Sequence, residues 1–236
     1  MNDAVMTISL QGLALSFVPA AIVIGIMARW SANAQTAAYA TLRMLIQLLL
    51  IGYVLVFLFD AQHSGLVIGV LVTMLTVASW IAIRPLQDKQ PRLYVYALGA
   101  IFLGGVPTLA LVTQVVIDIY PWFDPRYVIP LAGMIFGSSM NSVSLAAERF
   151  QAELDRQTDY IEARRIALQA ALIPAINSLF AVGLVSIPGM MTGQILAGGS
   201  PVVAAKYQIV VMTMFFGASG MSTAIYLTLV ARDQPR

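Results

Sequence analysis

The chain alternates long apolar runs with short polar breaks, a pattern typical of helical membrane proteins. Each run is close to the roughly 20 residues that cross about 30 Å of hydrocarbon. Lipid offers no hydrogen-bond partner to backbone N–H and C=O groups, and the runs lack the alternation of apolar and polar residues seen in barrel strands. Each run is therefore predicted to be a helix. The predicted spans lie at residues 8–28, 39–59, 66–83, 93–116, 128–147, 170–187 and 204–230. The fold class is therefore all-α: one polytopic membrane domain over residues 1–236 with about seven transmembrane helices.

A polar stretch at residues 148–169, between the fifth and sixth spans, is predicted to be a helical loop. Its apolar residues fall on one helical face, and its opposite charges pair at helical spacing. The apolar residues are Phe150, Leu154 and Ile161, and the pairs are Arg149 with Glu153 and Glu162 with Arg165. The loop is interpreted either as a solvated connector or as a surface that docks a partner.

Composition excludes a water-soluble domain. The chain is 59% hydrophobic and 10% charged, with a mean hydropathy of +0.84, whereas soluble domains are about 25% charged. It contains no Cys, which excludes disulfides, thiolate zinc sites and a Cys nucleophile. The 13 basic residues are scattered and form no patch, so no nucleic-acid partner is predicted.

The basic residues instead predict orientation, since cytoplasmic loops of membrane proteins are enriched in Lys and Arg. With the N-terminus outside and the C-terminus in the cytoplasm, ten basic residues lie inside and two outside. The inner ones are Arg29, Arg84, Lys89, Arg92, Arg149, Arg156, Arg164, Arg165, Arg232 and Arg236, and the outer ones are Arg126 and Lys206. The first span is predicted to remain as a membrane anchor and not to be cleaved as a signal peptide, because the positive charge lies after the span and not before it.

The spans lack the groups that proton-coupled carriers and enzymes use. The carboxylates lie at span ends, in loops or in the polar stretch, so proton coupling is not expected. They are Asp3, Asp60, Asp88, Asp118, Asp124, Glu148, Glu153, Asp155, Asp159, Glu162 and Asp233. No phosphate-binding loop occurs, since neither Lys89 nor Lys206 follows a Gly. The chain is therefore predicted not to be an enzyme, to hold no cofactor and no metal site of its own, and to take any energy from another subunit.

Polar residues inside the spans are candidates for a translocation path. Arg43 and Gln47 share one face of the second span, where Arg43 either extends to the headgroups or makes a functional contact. In the fifth span, hydroxyl and amide side chains follow two glycines spaced four apart. These candidates are Ser138, Ser139, Asn141 and Ser142. They form either a seam between packed helices, which is the default interpretation, or the lining of a path.

A break between the sixth and seventh spans predicts an outer gate. A Pro-Gly pair interrupts the apolar pattern, and such a break at membrane depth must be covered by protein or face water. The candidate gate residues are Pro188, Gly189, Met190, Met191, Thr192, Gln194, Tyr207 and Gln208. The alternative is an ordinary loop at the membrane surface, with Tyr207 and Gln208 as interfacial anchors.

Six segments taken in order resemble the FetB (YbbM) type of ABC-transporter permease. The match runs from about Arg43 to about Ala231, and the Pro-Gly-Met-Met-Thr-Gly-Gln run is its most specific part. The segments are RMLIQLLLIGYVL at 43–55, IPLAGMI at 129–135, NSVSLAAER at 141–149, AALIP at 170–174, GLVSIPGMMTGQIL at 183–196 and AKYQIV at 205–210.

The resemblance implies a multi-pass permease of the bacterial inner membrane. Two copies would pair with two copies of a cytoplasmic ATPase, which would bind ATP and Mg²⁺. Bacterial members of this type are linked to iron export and oxidative-stress resistance, and plant relatives to aluminium tolerance and nucleotide-sugar export. The alternatives kept open are export of a polar organic cargo such as a nucleotide sugar, and a receptor or scaffold without transport.

One departure concerns coupling to the ATPase. Members of this type carry a Leu-Gly-Ala turn in the inner loop, and this chain has no such Gly between Leu154 and Arg165. Either the segment from Tyr160 to Arg165 docks the ATPase, as a short subgroup of the family would, or the ATPase contact differs. The candidate coupling residues are Glu148, Arg149, Tyr160, Glu162, Arg164 and Arg165. Iron fits the spans poorly, because Fe²⁺ favours carboxylate and imidazole ligands. We expect any metal cargo to pass hydrated or chelated, or to be held at a site made by two chains.

Overall fold

The structure is a computed structural model, which describes residues 8–59, 63–86 and 90–231. Within these ranges the chain is built from helices, which confirms the predicted all-α class. It divides into two compact units, with the boundary after residue 60. Several residues used for the predicted orientation and carboxylate pattern lie outside the described ranges. They are Lys89, Arg232, Arg236, Asp3, Asp60, Asp88 and Asp233.

The first unit contains three helices, α1 (Leu10–Leu15), α2 (Val18–Arg29) and α3 (Ala34–Phe59). Side-chain caps begin two of them: Ser9 Oγ accepts from the Gly12 amide at 3.1 Å, and Asn33 Oδ1 accepts from the Thr36 amide at 3.2 Å. Such caps satisfy amides that have no partner within the helix. α2 contacts α3.

The second unit contains the remaining helices in a bundle. They are α4 (Ser64–Ala82), α5 (Pro91–Ala110), which continues as a π-helical segment (Leu111–Val116), α6 (Pro125–Asp155), α7 (Tyr160–Ala181), α8 (Gly189–Leu196) and α9 (Pro201–Ala231). α6 contacts α4, α5, α7 and α9, and α9 contacts α5, α6, α7 and α8. These two 31-residue helices form the centre of the unit.

Small residues allow the helices to approach closely. A side chain at Gly104 of α5 would meet the Ser222 amide nitrogen of α9 at 2.7 Å, and one at Gly105 would meet the Phe136 ring of α6 at 3.1 Å. α7 buries one alanine per turn, at Ala163, Ala167, Ala171 and Ala175. Close approach at small residues replaces the hydrophobic drive that helices lack in lipid.

Among the described residues, six helical segments are long and apolar enough to cross a membrane, compared with the seven predicted spans. They are Leu10–Arg29, Ala34–Leu55, Ser64–Ala82, Pro91–Val116, Pro125–Asp155 and Pro201–Val230. The predicted span at residues 170–187 has no counterpart among them, and its boundaries are wrong. The helix there, α7, begins at Tyr160 inside the predicted polar loop and ends at Ala181.

The physical reason lies at the two ends of α7. Its first turns carry Glu162, Arg164 and Arg165, which lower its hydropathy, and Gly183 at φ +84° turns the chain soon after its end. The predicted loop at residues 148–169 likewise divides into the last turns of α6, a short turn at residues 156–159, and the first turns of α7. The total of seven spans and the orientation of the termini stay predictions.

Candidate functional site

The turn between α6 and α7 is organised by a buried carboxylate, Glu153, which is 5% exposed. Glu153 Oε1 lies 2.7 Å from Arg149 Nη2 and 3.4 Å from Arg156 Nη1, and Oε2 accepts from Thr158 Oγ1 at 3.0 Å. Gln157 adopts φ +62° and allows the chain to reverse without a Gly. We call residues 153–160 the coupling turn, after the coupling role predicted from the sequence for neighbouring residues.

The coupling turn is tied to α9. The Tyr160 ring meets the Phe150 ring edge to face, with centroids 5.6 Å apart, and its hydroxyl donates to the Leu227 carbonyl at 3.3 Å. The Arg164 guanidinium lies 6.0 Å from the centre of the same ring, within the range of a cation–π contact. The start of α7 therefore contacts both α6 and the backbone of α9.

The residues predicted to couple to an ATPase all lie at this end of the second unit. Arg165 donates to Glu162 through Nε at 2.8 Å, and this contact lowers the pKa of the Glu162 carboxyl and raises that of the Arg165 guanidinium. Tyr160, Glu162, Arg164 and Arg165 begin α7, whereas Glu148 and Arg149 lie in the last turns of α6. The sequence missed Glu153 as the centre of the turn, although its helical spacing from Arg149 was visible.

A groove of about 400 Å³ adjoins the coupling turn. Arg164, Arg165 and Leu168 line it from α7, and Leu227 and Thr228 from α9. Exposed cationic groups therefore border an apolar floor. The lining of the groove therefore combines positive charge with apolar surface.

The predicted path residues fall in both units. In the first unit, Arg43 and Gln47 of α3 pair with one another: with its amide turned towards Arg43, the Gln47 oxygen accepts from Nε at 3.1 Å and from Nη2 at 3.3 Å. Arg43 is half-buried and Gln47 is exposed. The contact confirms that the two residues share a helix face, and it leaves their role in transport a prediction.

In the second unit, the predicted path residues divide between two faces of α6. Ser138, Ser139 and Ser142 are buried, whereas Asn141 is exposed. The Ser222 hydroxyl of α9 donates to Ser139 Oγ at 3.1 Å, and Ser138 donates to a carbonyl of its own helix. For the three serines this arrangement matches the packing seam. The two glycines that precede the serines in the sequence have different surroundings. A side chain at Gly133 would meet Met74, whereas no atom lies within 4 Å of one at Gly137.

Four buried polar atoms find no hydrogen-bond partner among the described residues. They are Gln194 Oε1 of α8 and Gln208 Oε1, Ser219 Oγ and Thr223 Oγ1 of α9. Ser219 lies eleven residues after Gln208, about three helical turns, so the two share one face of α9. Sequence reasoning missed Ser219 and Thr223, although both were visible as hydroxyl side chains within a predicted span.

The predicted gate region is a helix break followed by the short helix α8. Four predicted residues, Gly189, Met190, Met191 and Thr192, form the first half of α8, and Gln194 follows them. Pro188 caps α8, while Tyr207 and Gln208 lie in α9, which α8 contacts. The structure thus brings the predicted gate residues into one region of the second unit.

A cavity of about 380 Å³ opens at this break. Its polar lining consists of Asn177, Ser178 and Ser186, and its apolar lining includes Ala181, Pro188 and Met212. Sequence reasoning did not single out Asn177, Ser178 or Ser186. Asn177 was visible as an amide within a predicted span. The residues that lie beside it in the cavity depend on where α7 ends.

The described residues offer no cluster of three or more His, Cys, Asp or Glu side chains for a bare metal ion. The groups at the cavity and in the α6–α9 seam are neutral amides and hydroxyls. Such groups suit a hydrated or organic cargo better than a dehydrated transition metal.

Together, these features define a polytopic helical membrane protein with neutral polar groups inside its bundle and a charged turn at one end. The chain belongs to the family described as "Uncharacterised protein family (UPF0014)", whose model matches residues 9–234. This confirms the predicted family. No solved structure matches the chain.

Three relatives show how far the similarity extends. The "UPF0014 membrane protein slr1647" of Synechocystis is 36% identical, over 81% of this chain and 80% of that protein. The "Probable iron export permease protein FetB" of Escherichia coli is 32% identical, over 97% and 93% of the two chains. The "Protein ALUMINUM SENSITIVE 3" of Arabidopsis thaliana is 33% identical, over 80% and 74%. The family therefore includes a relative named as a permease.

Proposed function

We propose that this chain is the permease subunit of an ABC exporter and that its cargo is iron or another metal species. The observation that carries the proposal is the coupling turn, in which Glu153 fixes the end of α6 and Tyr160 connects α7 to the backbone of α9. A permease without a motor needs such a rigid, charged element to receive the motion of a separate ATPase. The E. coli relative named as a probable iron export permease supports the cargo class.

The proposed assembly contains two copies of this chain and two of a cytoplasmic ABC ATPase that binds ATP and Mg²⁺. It lies in the bacterial inner membrane, surrounded by lipid, with the coupling turn in the cytoplasm. The groove beside Arg164 and Arg165 offers cationic and apolar contacts to the ATPase. The missing Leu-Gly-Ala turn does not argue against coupling, because Gln157 reverses the chain at φ +62°.

A second candidate cargo is a polar organic molecule such as a nucleotide sugar. The neutral amide and hydroxyl groups of the cavity at the α7–α8 break favour it, since they hydrogen-bond to sugar hydroxyls as well as to water. Stimulation of ATP hydrolysis by UDP-glucose but not by metal would identify this cargo.

The test is to purify the chain from its native membrane in mild detergent and to identify the stoichiometric partner by mass spectrometry. We expect an ABC ATPase. Glu153→Gln removes the charge that holds Arg149 and Arg156, and we expect it to reduce the amount of ATPase retained. Asp118→Asn is the matched control, because Asp118 is exposed and lies before α6, at the end opposite the coupling turn.

Recovery of the chain alone, or with a partner that is not an ATPase, would contradict the proposal and favour a receptor or scaffold. Equal loss of the ATPase in Glu153→Gln and Asp118→Asn would show that the coupling turn is not the contact.

A further inference from the structure

The groove beside the coupling turn lies where the headgroups of the membrane meet its hydrocarbon. The candidate span in α9 has 30 residues, which is about 45 Å at the α-helical rise, whereas the hydrocarbon layer is about 30 Å thick. With the span centred in the bilayer, about 7 Å at each end lies among the headgroups. Ala224, Leu227 and Thr228, which line the groove, belong to the last two turns of this span. The groove is therefore at the level of the headgroups and the first carbons of the lipid chains.

The two helices that form the groove are antiparallel. At the start of α7, the Tyr160 hydroxyl donates to the Leu227 carbonyl near the end of α9. At the other end of α7, Ala181 shares a cavity with Met212, which lies 15 residues before Leu227 in α9. Depth in the membrane therefore increases along α7 from its start and along α9 back from its end.

The lining of the groove changes from charged to apolar with this depth. On α7, Leu168 lies one turn deeper than Arg164, and on α9, Ala224 lies one turn deeper than Thr228. The shallow level thus carries a guanidinium, and the deep level carries aliphatic side chains. A phospholipid has the same order, with its phosphate above its acyl chains.

The charge of the groove is positive and partly unpaired. Its lining includes Arg164 and Arg165, both exposed, and no carboxylate. Arg165 donates to Glu162 at 2.8 Å, whereas within the described ranges Arg164 pairs with no carboxylate and lies over the Tyr160 ring. A guanidinium binds a phosphate group through two parallel hydrogen bonds. Arg164 therefore offers a contact for a phosphate at the headgroup level.

Depth also decides between a lipid and the ATPase as the occupant. A cytoplasmic protein reaches the rim of the groove at Ile161, which is 68% exposed, and at Arg165. Leu168 and Ala224 lie below this rim at the edge of the hydrocarbon, where lipid chains are present and a soluble subunit is not. A lipid in the deep part leaves the rim to the ATPase contact proposed above.

We propose that this groove binds an anionic phospholipid, such as phosphatidylglycerol, from the leaflet that faces the coupling turn. Its phosphate pairs with Arg164, and an acyl chain packs against Leu168 and Ala224. Basic pockets between transmembrane helices bind anionic headgroups in this way. The inference goes beyond the proposed function, because the site would exist in a permease, a receptor or a scaffold alike.

The first experiment is a lipid titration of the purified full chain in detergent, followed by native mass spectrometry. Phosphatidylglycerol is compared with phosphatidylcholine of the same acyl chains, since the two differ in net charge. We expect the first phosphatidylglycerol to bind about fivefold tighter, equivalent to about 1 kcal/mol for one basic residue. Arg164→Gln should remove this difference. Arg84→Gln is the matched control, because Arg84 is exposed and outside the groove, and we expect it to leave the difference unchanged.

The second experiment tests the apolar part of the site. Ala224 is exposed and lines the groove, so Ala224→Leu fills the space for the acyl chain. We expect this variant to lose the tight binding of the first phosphatidylglycerol. Thr213→Leu is the control, since Thr213 is an exposed residue of the same helix outside the groove, and it should bind the lipid as the wild type does.

Four results would overturn the proposal. The first is equal affinity of the wild type for the two lipids, and the second is an equal loss of phosphatidylglycerol in Arg164→Gln and Arg84→Gln, which would indicate a general effect of surface charge. The third is displacement of the lipid by inorganic phosphate, which would show an anion site that needs no acyl chain. The fourth is displacement by the purified ATPase, which would assign the groove to that subunit and support the proposed function.

Discussion

At the scale of the residue, the absence of a side chain at Gly104 allows α5 and α9 to approach closely. A Cβ on Gly104 would lie 2.7 Å from the amide nitrogen and 3.0 Å from the Cα of Ser222. Backbone atoms cannot rotate away as a flexible side chain can. The close approach of α5 and α9 at this point therefore requires a glycine.

We predict that Gly104→Ala lowers the free energy of unfolding by about 1–3 kcal/mol, because α5 and α9 must separate to admit the methyl group. The measurement is the thermal unfolding midpoint of the purified chain. Gly99→Ala on the same helix is the control: no atom lies within 4 Å of its added Cβ, so it should be neutral or stabilising by up to about 1 kcal/mol. Equal midpoints for the two variants would contradict the close approach.

Single residues also show where sequence reasoning stops. The pairs Arg149 with Glu153 and Glu162 with Arg165 were predictable, because helical spacing alone brings their side chains together. The further contact of Glu153 with Thr158 depends on how the chain reverses at Gln157. No periodicity encodes that reversal.

At the scale of the element, α7 packs through a stripe of alanines, one per turn, at Ala163, Ala167, Ala171 and Ala175. A stripe of small side chains lets neighbouring helices approach and leaves little free volume at the contact. The sequence contained this spacing, but the predicted boundary at residue 170 cut through it.

We predict that Ala171→Leu, at a position 1% exposed, destabilises the bundle by about 1–3 kcal/mol through overpacking. Ala170→Leu adds the same volume at the neighbouring, half-buried position and serves as the control. We expect its thermal unfolding midpoint to stay closer to that of the wild type. The reverse order would show that the alanine stripe does not form the contact.

At the scale of the whole molecule, the charged coupling turn and the α8 region lie at opposite ends of α7. The positive-inside rule predicts that the coupling turn faces the cytoplasm, where an ATPase can reach it. Orientation thus determines whether the proposed coupling is possible at all.

We predict that Gln151→Cys, near the end of α6, is labelled by an impermeant maleimide only from the cytoplasmic side. Ser200→Cys, before α9, should be labelled only from the outside. Both positions are exposed, and the Cys-free wild type gives no background labelling. Inverted labelling would contradict both the orientation and the ATPase contact.

The sequence by itself determined the all-α class, the approximate place of six helical spans and the family. These properties are local: in lipid each helix satisfies its own backbone, so hydropathy and length suffice to place it. The tertiary structure decided that α7 ends at Ala181, that three of the predicted path serines are buried, and that Asn177 and Ser186 line one cavity. The burial of the serines depends on helices far apart in the chain, since Ser139 of α6 meets Ser222 of α9, and no local pattern encodes that contact.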